Sequence, residues 1–426
     1  MSESTAIAAH ADAPATVARD DYRPLVRMID LVCGGLQGIG LPLGRLDPGS
    51  ILDAARSRTG LKDWGKEDFL VPMDRILAEA RGAPFSSLAR CVVRQTFIAA
   101  VSNRLRIEDW YRRNPAASQE RIERPVFILG FPRTGTTLLQ NLLSLDPGAR
   151  ALRFWELQSP VPVHADPAVD RHRRLRTARA TLQAAYFVAP EMEFVHEIGP
   201  ETAEECWPLF ANTFAVLNWD IAGGLRGYGQ WLLGQDMCGP YAEYRRQLQM
   251  MAHHQPTRRF VLKCPEHLWF IDALLDVFPD ASIVWTHRDP VDSVASYCSL
   301  ISLNRRMLYG HIDHPAIGAH IEQSFAQGVD LAMQARARHP HARFYDVSFR
   351  ALVKDPKVVV RQLKDALDIE HAPDQDARID AWLENERKDK RGAHHYDAAR
   401  FGLEPGRVYQ RFADYIDRYQ IPLKHR

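Results

Sequence analysis

The most informative stretch of this sequence is Pro125-Val-Phe-Ile-Leu-Gly-Phe-Pro-Arg-Thr-Gly-Thr-Thr-Leu-Leu139. Its apolar first part predicts a buried strand, and a turn that contains two glycines follows. The residues after the turn predict a helix that begins there. The backbone N–H groups and the positive end of such a helix both face the loop, so the stretch predicts a phosphate-binding cradle.

The spacing of this loop is close to that of a Walker A motif, from Gly130 to Gly135 with two further residues. At the position where that motif needs a lysine, the chain has Thr136, and only the final hydroxyl, Thr137, is kept. A loop without this lysine is poorly equipped for the β- and γ-phosphates of ATP. We therefore expect the loop to hold a phosphate that is not part of a triphosphate.

The composition excludes several classes of protein. A chain of 426 residues with 46% hydrophobic residues suffices for one large α/β domain with additions, or for two domains. The formal net charge of +1 argues against a general nucleic-acid or membrane-surface role, because both need a strong basic field. The abundance of alanine and arginine suits a bacterial source.

Targeting and redox signals are weak. The residues from Met1 to Asp21 lack a basic segment followed by an apolar run, so no signal peptide is predicted. The apolar stretch Leu31–Leu43 is interrupted by four glycines and a proline and is too short to span a bilayer. The six cysteines are scattered without a C-x-x-C pair, which predicts reduced thiols in a cytoplasmic protein.

The patterns along the chain predict three segments. Residues 1–21 are expected to be disordered, 22–123 to form a helical N-terminal extension, and 124–426 to form the α/β domain, with a helical cap inserted at about 150–256. The predicted fold class is α/β, with a P-loop-like parallel sheet flanked by helices. The cap is rich in aromatic residues, which favours an apolar pocket for a ligand. Most of these residues are equally typical of a buried core.

Polar residues follow the predicted strands at the points where the strands end. The candidate strands are Val126–Leu129, Phe260–Lys263, Ile283–Thr286 and Arg343–Val347. Arg133, Lys263 and Arg288 lie at or just beyond the ends of the first three. In open parallel sheets ligands bind beyond the carboxyl ends of the strands, so these cations are expected at one ligand site.

The segment after Arg288 permits a geometric test. Its apolar residues form one stripe at helical spacing, namely Val291, Val294, Ala295, Cys298 and Ile301. At about 100° per residue, Ser296 lies on the opposite side of that helix. An arginine and a serine near a helix N-terminus predict a second anion site, which suits a ligand with two separated phosphates.

The two motifs together resemble those of sulfotransferases that use 3′-phosphoadenosine 5′-phosphosulfate (PAPS). Pro132-Arg-Thr-Gly-Thr-Thr137 resembles the 5′-phosphosulfate loop, and Arg288 with Ser296 resembles the 3′-phosphate motif at the family's eight-residue separation. The similarity covers roughly 125–367 and is greatest to the bacterial branch related to tyrosylprotein sulfotransferases.

The resemblance implies a role for each matching residue. The 5′-phosphate and sulfonate would be held by Arg133, Thr134, Gly135, Thr136 and Thr137. Arg288 and Ser296 would hold the 3′-phosphate. Lys263 matches a family lysine at a strand end before a proline and would neutralise charge on the leaving phosphate. The family needs no metal, and the product is adenosine 3′,5′-bisphosphate (PAP).

Sulfonate transfer also needs a base near the acceptor. Glu156 lies near the position of the catalytic glutamate of tyrosylprotein sulfotransferases, and His196 is the second candidate. Glu156 is equally consistent with an ion pair to Arg150 or Arg153, and His196 with a structural role. The basic run from Arg171 to Arg179 is consistent with an anionic acceptor or, more simply, with a solvated helix face.

The sequence thus predicts transfer of sulfonate from PAPS to a hydroxyl or amine of a small-molecule, lipid or carbohydrate acceptor. The alternatives are a P-loop nucleotide kinase or NTPase and a non-catalytic PAP-binding protein. Neither nucleic-acid binding nor stable membrane insertion is expected, and a homodimer is one candidate assembly. The residues from Lys388 to Tyr396 resemble the family's C-terminal nucleotide loop too weakly to receive a role.

Overall fold

A parallel five-stranded sheet lies at the centre of the computed structural model, which describes residues 21–195, 198–255, 259–389 and 397–425. The strands are β1 (Val126–Gly130), β2 (Ala149–Arg150), β3 (Arg259–Lys263), β4 (Ser282–His287) and β5 (Arg343–Ser348). They pair in the order β2-β3-β1-β4-β5. Strands alternating with helices in one parallel sheet confirm the predicted α/β class.

Four of these strands match the predicted ones to within one residue at each end. The fifth, β2, has only two residues and forms the edge of the sheet beside β3. The sequence does not predict it, because two residues carry no periodic signal. The register pairs Ile128 with Lys263 and Gly130 with Thr286, so β1, β3 and β4 end at the same edge of the sheet.

The helical patterns that follow three of the candidate strands predict helices over 135–145, 266–278 and 291–303, and the observed helices differ from these mainly in length. The helix after β1 is α5 (Thr136–Leu143), and the helix after β4 is α14 (Pro290–Tyr309). All five residues of the predicted apolar stripe on α14 are buried, as the spacing predicts. The single helix predicted over 266–278 is wrong: a 3₁₀ turn at Pro265–Trp269 precedes a shorter helix, α13 (Ile271–Val277), because the backbone of Phe270 leaves helical geometry.

The described segment before β1 is largely helical. It contains α1 (Pro24–Gly38), α2 (Pro48–Thr59), α3 (Leu70–Gly82) and α4 (Ser87–Arg113), with 3₁₀ turns at Pro42–Gly44 and Pro115–Gln119. Phe97 on α4 contacts Phe214 and Trp219, with ring centroids 4.9 and 5.2 Å apart. These helices therefore share a hydrophobic core with residues of the insertion.

The described part of the insertion between β2 and β3 is also largely helical. Its helices are α6 (Phe154–Gln158), α7 (Pro167–Val188), α8 (Met192–Val195), α9 (Trp207–Ala211), α10 (Asn218–Ile221), α11 (Arg226–Leu233) and α12 (Cys238–His254). Phe210 and Phe214 are buried in the core, whereas Phe187 is exposed. The aromatic residues of the insertion thus serve core packing in part, and an acceptor pocket built from them stays a prediction.

The C-terminal part completes the helical layers. It contains α15 (His314–Arg338), α16 (Phe349–Lys354), α17 (Pro356–Ala366), α18 (Gln375–Asp389), α19 (Pro405–Arg411) and α20 (Ala413–Tyr419), with a 3₁₀ turn at Ala399–Phe401. Both α19 and α20 return to the site edge of the sheet: Tyr409 donates to Asp289 over 2.9 Å, and the hydroxyl of Tyr415 lies 3.0 Å from Nδ1 of His287.

Candidate active site

The loop between β1 and α5 adopts a backbone that its glycines permit. Gly130 has a φ of +133°, and a side chain there would lie 2.6 Å from the carbonyl oxygen of Thr286. Gly135 has a φ of +87° and lies against Phe349. Arg133 adopts the left-handed region at +69° without being glycine, a strain that is commonly found at functional sites. The first N–H groups of α5, which no helical carbonyl satisfies, follow directly.

The three threonines of the loop occupy different environments. The side chain of Thr134 is fully buried; its hydroxyl donates to the carbonyl of Phe131 over 2.6 Å and lies 2.5 Å from the hydroxyl of Thr286. Thr136 is buried as well, whereas Thr137 is exposed. Thr134 therefore fastens the loop to β4, and its side chain is occupied within the protein.

Lys263 is buried beside the loop at the end of β3. Its ammonium donates to the hydroxyl of Thr137 over 3.0 Å and lies 3.4 Å from Oε1 of Glu205. Burial favours the neutral amine, but the charges of Glu205 and Glu204 outweigh burial and raise the pKa of Lys263 above its ordinary value. The ammonium of Lys263 is therefore protonated, and because the residue is buried, little solvent screens its charge.

Arg288 lies on the other side of the loop, just beyond β4. Its guanidinium donates to the carbonyl of Arg133 over 2.7 Å and to Asp292 over 3.1 Å, and it covers the ring of Phe349 at 4.5 Å. Nε of Arg133 donates in turn to the hydroxyl of Ser296 over 3.3 Å. The structure therefore places Arg288 and Ser296, the predicted arginine–serine anion site, next to the loop, and Arg133 of the loop contacts both of them.

The C-terminal residues add basic side chains that the sequence analysis did not single out. Nζ of Lys424 lies 2.6 Å from Asp292, and Nε2 of His425 lies 2.9 Å from the same carboxylate. Burial would raise the pKa of Asp292, but Lys424, His425 and Arg288 together lower it to about 2. Because 132 residues separate Lys424 from Asp292, local sequence patterns carry no signal for this contact.

Glu156, the first candidate for the base, is bound to arginine side-chain and backbone groups. Its Oε1 accepts from Arg150 over 2.6 Å, and its Oε2 accepts from the backbone N–H of Arg153 over 3.0 Å, which caps α6. The residue is buried. The ion pair with Arg150 is the alternative that the sequence left open, and the backbone of Arg153 occupies the second oxygen. His196, the second candidate, lies outside the described residues, as does most of the tail from Lys388 to Tyr396.

Two glutamates that the sequence analysis did not select belong to this region: Glu205 lies beside Lys263, and Glu266 interacts electrostatically with Glu205. The backbone N–H of Cys206 donates to the carbonyl of Lys263 over 3.0 Å, which holds the preceding residue, Glu205, against the lysine. Glu266 follows β3 by three residues, and its carboxylate accepts from the backbone N–H of Leu217 over 3.0 Å. Burial and the charge of Glu205 raise the pKa of Glu266 to about 8. Glu266 could have been indicated by its position three residues after the strand-end lysine, whereas Glu205 is distant from Lys263 in the sequence and has no such signal.

Glu266→Gln is expected to change how the stability of the protein depends on pH. In the folded chain Glu266 keeps its proton up to about pH 8, whereas an unperturbed glutamate releases it near pH 4.5. The folded state binds more protons in this window, so the contribution of Glu266 to stability falls as pH rises. The variant should gain on the order of 4 kcal/mol relative to the wild type near pH 8 and less than about 1 kcal/mol near pH 5. Thermal unfolding over this range, with exposed Glu67→Gln as control, tests the expectation; parallel curves would contradict it.

A cavity of about 400 Å³ lies at the opposite edge of the sheet, where the strands begin. Its lining includes Arg124, Arg259 and Lys364 and none of the predicted site residues. Ligands of open α/β sheets bind at the carboxyl ends of the strands, so we place the candidate active site at the loop and not in this cavity. Among the described residues, no group of three or more His, Cys, Asp or Glu side chains could hold a metal ion.

The protein is similar to two sulfotransferases of known structure. STF1 from Mycobacterium tuberculosis H37Rv is 27% identical, with a TM-score of 0.76 over 86% of this chain and 98% of that chain. STF9 from Mycobacterium avium is 28% identical, with a TM-score of 0.79 over 89% of this chain and 98% of that chain. Coverage this high must include part of the helical segment that precedes β1 as well as the sheet.

Two curated proteins that resemble this chain are also sulfotransferases. The chain is 25% identical over 255 residues to the omega-hydroxy-beta-dihydromenaquinone-9 sulfotransferase Stf3 of Mycobacterium bovis and to that of Mycobacterium tuberculosis. The match spans 56% of this chain and 61% of the length of each relative.

A sulfotransferase family model matches residues 125–374, which is more than half of the chain. The matched range begins one residue before β1 and includes the loop, Lys263, Arg288 and Ser296. The resemblance predicted from the sequence is thereby confirmed at the level of the family. This chain belongs to the sulfotransferase family.

Proposed function

We propose that the protein transfers a sulfonate group from PAPS to a hydroxyl or amine of an organic acceptor. The observation that supports this most strongly is the placement of two cationic groups on either side of one loop. Lys263 contacts Thr137 on the β3 side, and Arg288 with the Arg133–Ser296 pair lies on the β4 side. PAPS carries phosphates at the 3′ and 5′ positions of its ribose, and each phosphate would contact one of these two cationic groups.

The residues present suit such a donor chemically. Backbone N–H groups of the loop, the hydroxyl of Thr137 and the ammonium of Lys263 are all donors to phosphate or sulfonate oxygens. On the β4 side of the loop, Arg288, Arg133 and Lys424 supply three positive charges. Asp292 offsets one of them. When bound, the donor supplies an activated sulfonate whose leaving group is the phosphate of PAP.

Lys263 has the clearest part in the proposed mechanism. Its raised pKa keeps the ammonium charged, so it can donate to the phosphate oxygen that gains negative charge as the bond to sulfur breaks. The exposed hydroxyl of Thr137 and the N–H groups of the loop would share that charge. A protonated lysine already fixed beside the loop needs little rearrangement at the moment of reaction.

For the base we propose Glu205 in preference to Glu156. Glu205 lies 3.4 Å from the ammonium of Lys263, so an acceptor hydroxyl placed beside the lysine falls within its reach. Glu205 would accept the proton of the acceptor hydroxyl while the hydroxyl oxygen forms its bond to sulfur. Glu156, by contrast, has one oxygen on Arg150 and the other on the backbone of Arg153. His196 stays a further candidate on sequence grounds alone.

For the acceptor we propose a hydroxyl-bearing apolar molecule, with lipids tested first. The aromatic insertion supports an apolar acceptor, and the curated relatives are named for a hydroxylated dihydromenaquinone. Within the described residues, no helix is long and apolar enough to cross a membrane. The cytoplasmic location, the absence of nucleic-acid binding and a homodimeric assembly stay predictions of the sequence.

A comparison of ligands separates the proposal from its alternatives. PAP should raise the melting temperature of the protein without magnesium, ATP should not, and Arg288→Ala should abolish most of the effect of PAP. Labelled PAPS should then transfer its sulfonate to members of a panel of hydroxylated quinones, sterols, phenols, glycolipids and sugars. Magnesium-dependent preference for ATP would support a nucleotide kinase or NTPase instead. Binding of PAP without transfer to any acceptor would support a non-catalytic binding protein.

A further inference from the structure

The start of α14 carries two carboxylates between the residues proposed to bind the 3′-phosphate. Asp289 caps the helix, and one of its oxygens accepts from the backbone N–H of Val291 over 2.8 Å. Asp292 lies midway in the sequence between Arg288 and Ser296, and its carboxylate accepts from Arg288 over 3.1 Å. A phosphate bound by Arg288 and Ser296 would therefore lie close to the negative charge of Asp292. That charge opposes binding unless other cations offset it.

The residues at positions 424 and 425 are fastened to these carboxylates. The backbone N–H of Lys424 donates to Asp289 over 2.8 Å, and its ammonium donates to Asp292 over 2.6 Å. The backbone N–H of His425 donates to the hydroxyl of Tyr409 over 3.0 Å, and that hydroxyl donates to Asp289 over 2.9 Å. Lys424 is therefore held at the start of α14 by its backbone as well as by its side chain.

The ammonium of Lys424 lies next to the guanidinium of Arg288. Both groups donate to the same oxygen of Asp292, Oδ2, over 2.6 and 3.1 Å respectively. One anion thus already bridges the two cations, and a phosphate with three terminal oxygens can bridge them in the same way. The side chain of Lys424 is 59% exposed and that of Asp292 only 5%, so a ligand that arrives from solvent meets the lysine first. An ammonium has three N–H donors, so the bond to Asp292 does not saturate it.

The balance of charge at this end of α14 depends on Lys424. Among the described residues that contact one another here, those charged at neutral pH are two carboxylates and three cations, namely Asp289, Asp292, Arg133, Arg288 and Lys424. Without Lys424 these charges would cancel, and a phosphate with nearly two negative charges would meet no net positive charge. His425 also contacts Asp292, over 2.9 Å, but it adds a charge only when protonated.

We propose, on the basis of the PAPS-dependent transfer inferred above, that Lys424 binds the 3′-phosphate of the donor together with Arg288 and Ser296. Lys424 is then a residue through which the protein selects a nucleotide that carries this phosphate. Asp292 is a positioning residue, because it holds the ammonium and the guanidinium side by side before the donor arrives. Loss of Lys424 should therefore weaken the binding of nucleotides with a 3′-phosphate and leave the binding of those without one nearly unchanged.

Calorimetry with PAP and with adenosine 5′-monophosphate (AMP), which lacks the 3′-phosphate, tests the proposal on the full-length protein. The wild type should prefer PAP by about 100-fold or more, since Arg288 and Lys424 both meet the additional phosphate. Lys424→Met should weaken the binding of PAP about ten-fold and that of AMP less than about two-fold. Lys424→Arg, which keeps the positive charge, should retain most of the preference.

Lys357→Met on α17 is the matched control. Lys357 is also partly exposed, and its ammonium lies 2.9 Å from the carboxylate of Asp380. The control should bind both nucleotides like the wild type. A role for Lys424 that merely offsets the charge of Asp292 is separated by the background Asp292→Asn, in which Lys424→Met should still weaken the binding of PAP. If Asp292→Asn does not fold, the comparison of Lys424→Met with Lys424→Arg still decides.

The outcomes distinguish this inference from the proposed function. A wild type that prefers PAP, together with a Lys424→Met variant that keeps the full preference, would overturn the inference alone. An equal loss of PAP and AMP binding in Lys424→Met, or no effect of this change in the Asp292→Asn background, would also overturn it. A wild type without any preference for PAP would contradict the proposed function as well.

Discussion

Lys263→Met is expected to slow sulfonate transfer by roughly 10²–10³-fold, the usual cost of removing one preorganised electrostatic donor. Methionine keeps the unbranched apolar stem of lysine and removes only its charge. The affinity for PAP should fall much less than the rate, because the charge of Lys263 matters most while the bond to phosphate breaks. Initial rates with labelled PAPS and the acceptor found in the panel, together with calorimetry of PAP binding, measure the two effects.

The chain offers a matched control in Lys364. It is also a buried lysine, and its ammonium lies 2.6 Å from Asp146, but it lines the cavity at the opposite edge of the sheet. Lys364→Met should therefore lose stability and keep the transfer rate of the folded enzyme. If both variants lose activity in proportion to their melting temperatures, Lys263 has a structural role only. If Lys263→Met weakens PAP binding as much as it lowers the rate, the lysine binds the donor without favouring the transition state.

The residues proposed to bind the donor could be predicted from the sequence, because the patterns that indicate them lie within short stretches of the chain. A strand, a glycine turn and a helix occupy fifteen consecutive residues from Pro125 to Leu139. Arg288 and Ser296 lie on either side of the start of one helix, so their spacing alone brings them to one end of it. Lys263 could be selected because it ends an apolar strand, and parallel strands end at a common edge.

The proposed base and the cation Lys424 could not be predicted in the same way, because their positions depend on contacts between distant segments. Glu205 reaches Lys263 only because the backbone of Cys206 bonds to the carbonyl of Lys263, next to β3. Neither Glu205 nor the Lys424–Asp292 contact has a periodic pattern that a single sequence could reveal. The apolar stretch that begins at Leu31 was evident, but its exposure follows from which face of α1 packs on α4. For Glu156, in contrast, the position in the sequence suggested a catalytic role. The structure shows that both of its carboxylate oxygens accept hydrogen bonds, from the side chain of Arg150 and from the backbone of Arg153.

Glu205→Gln is expected to lower the transfer rate by about 10²–10⁴-fold if its carboxylate removes the proton of the acceptor. Glutamine keeps the size and a hydrogen-bonding oxygen but is a far weaker base. PAP affinity should change little, because Glu205 approaches the donor only through Lys263. The measurements are kcat/KM with the identified acceptor and the melting temperature of each variant.

Glu156→Gln supplies the decisive comparison. It leaves Arg150 without an ionic partner in a region where the arginine side chain is only 11% exposed and the glutamate side chain 9%. Breaking such a pair from one side typically costs about 3–5 kcal/mol, so the variant should melt at a markedly lower temperature. Its transfer rate per folded molecule should stay near that of the wild type. The opposite pattern, with transfer lost in Glu156→Gln at an unchanged melting temperature and retained in Glu205→Gln, would return the role of the base to Glu156. It would also mean that Arg150 releases the carboxylate when the acceptor binds.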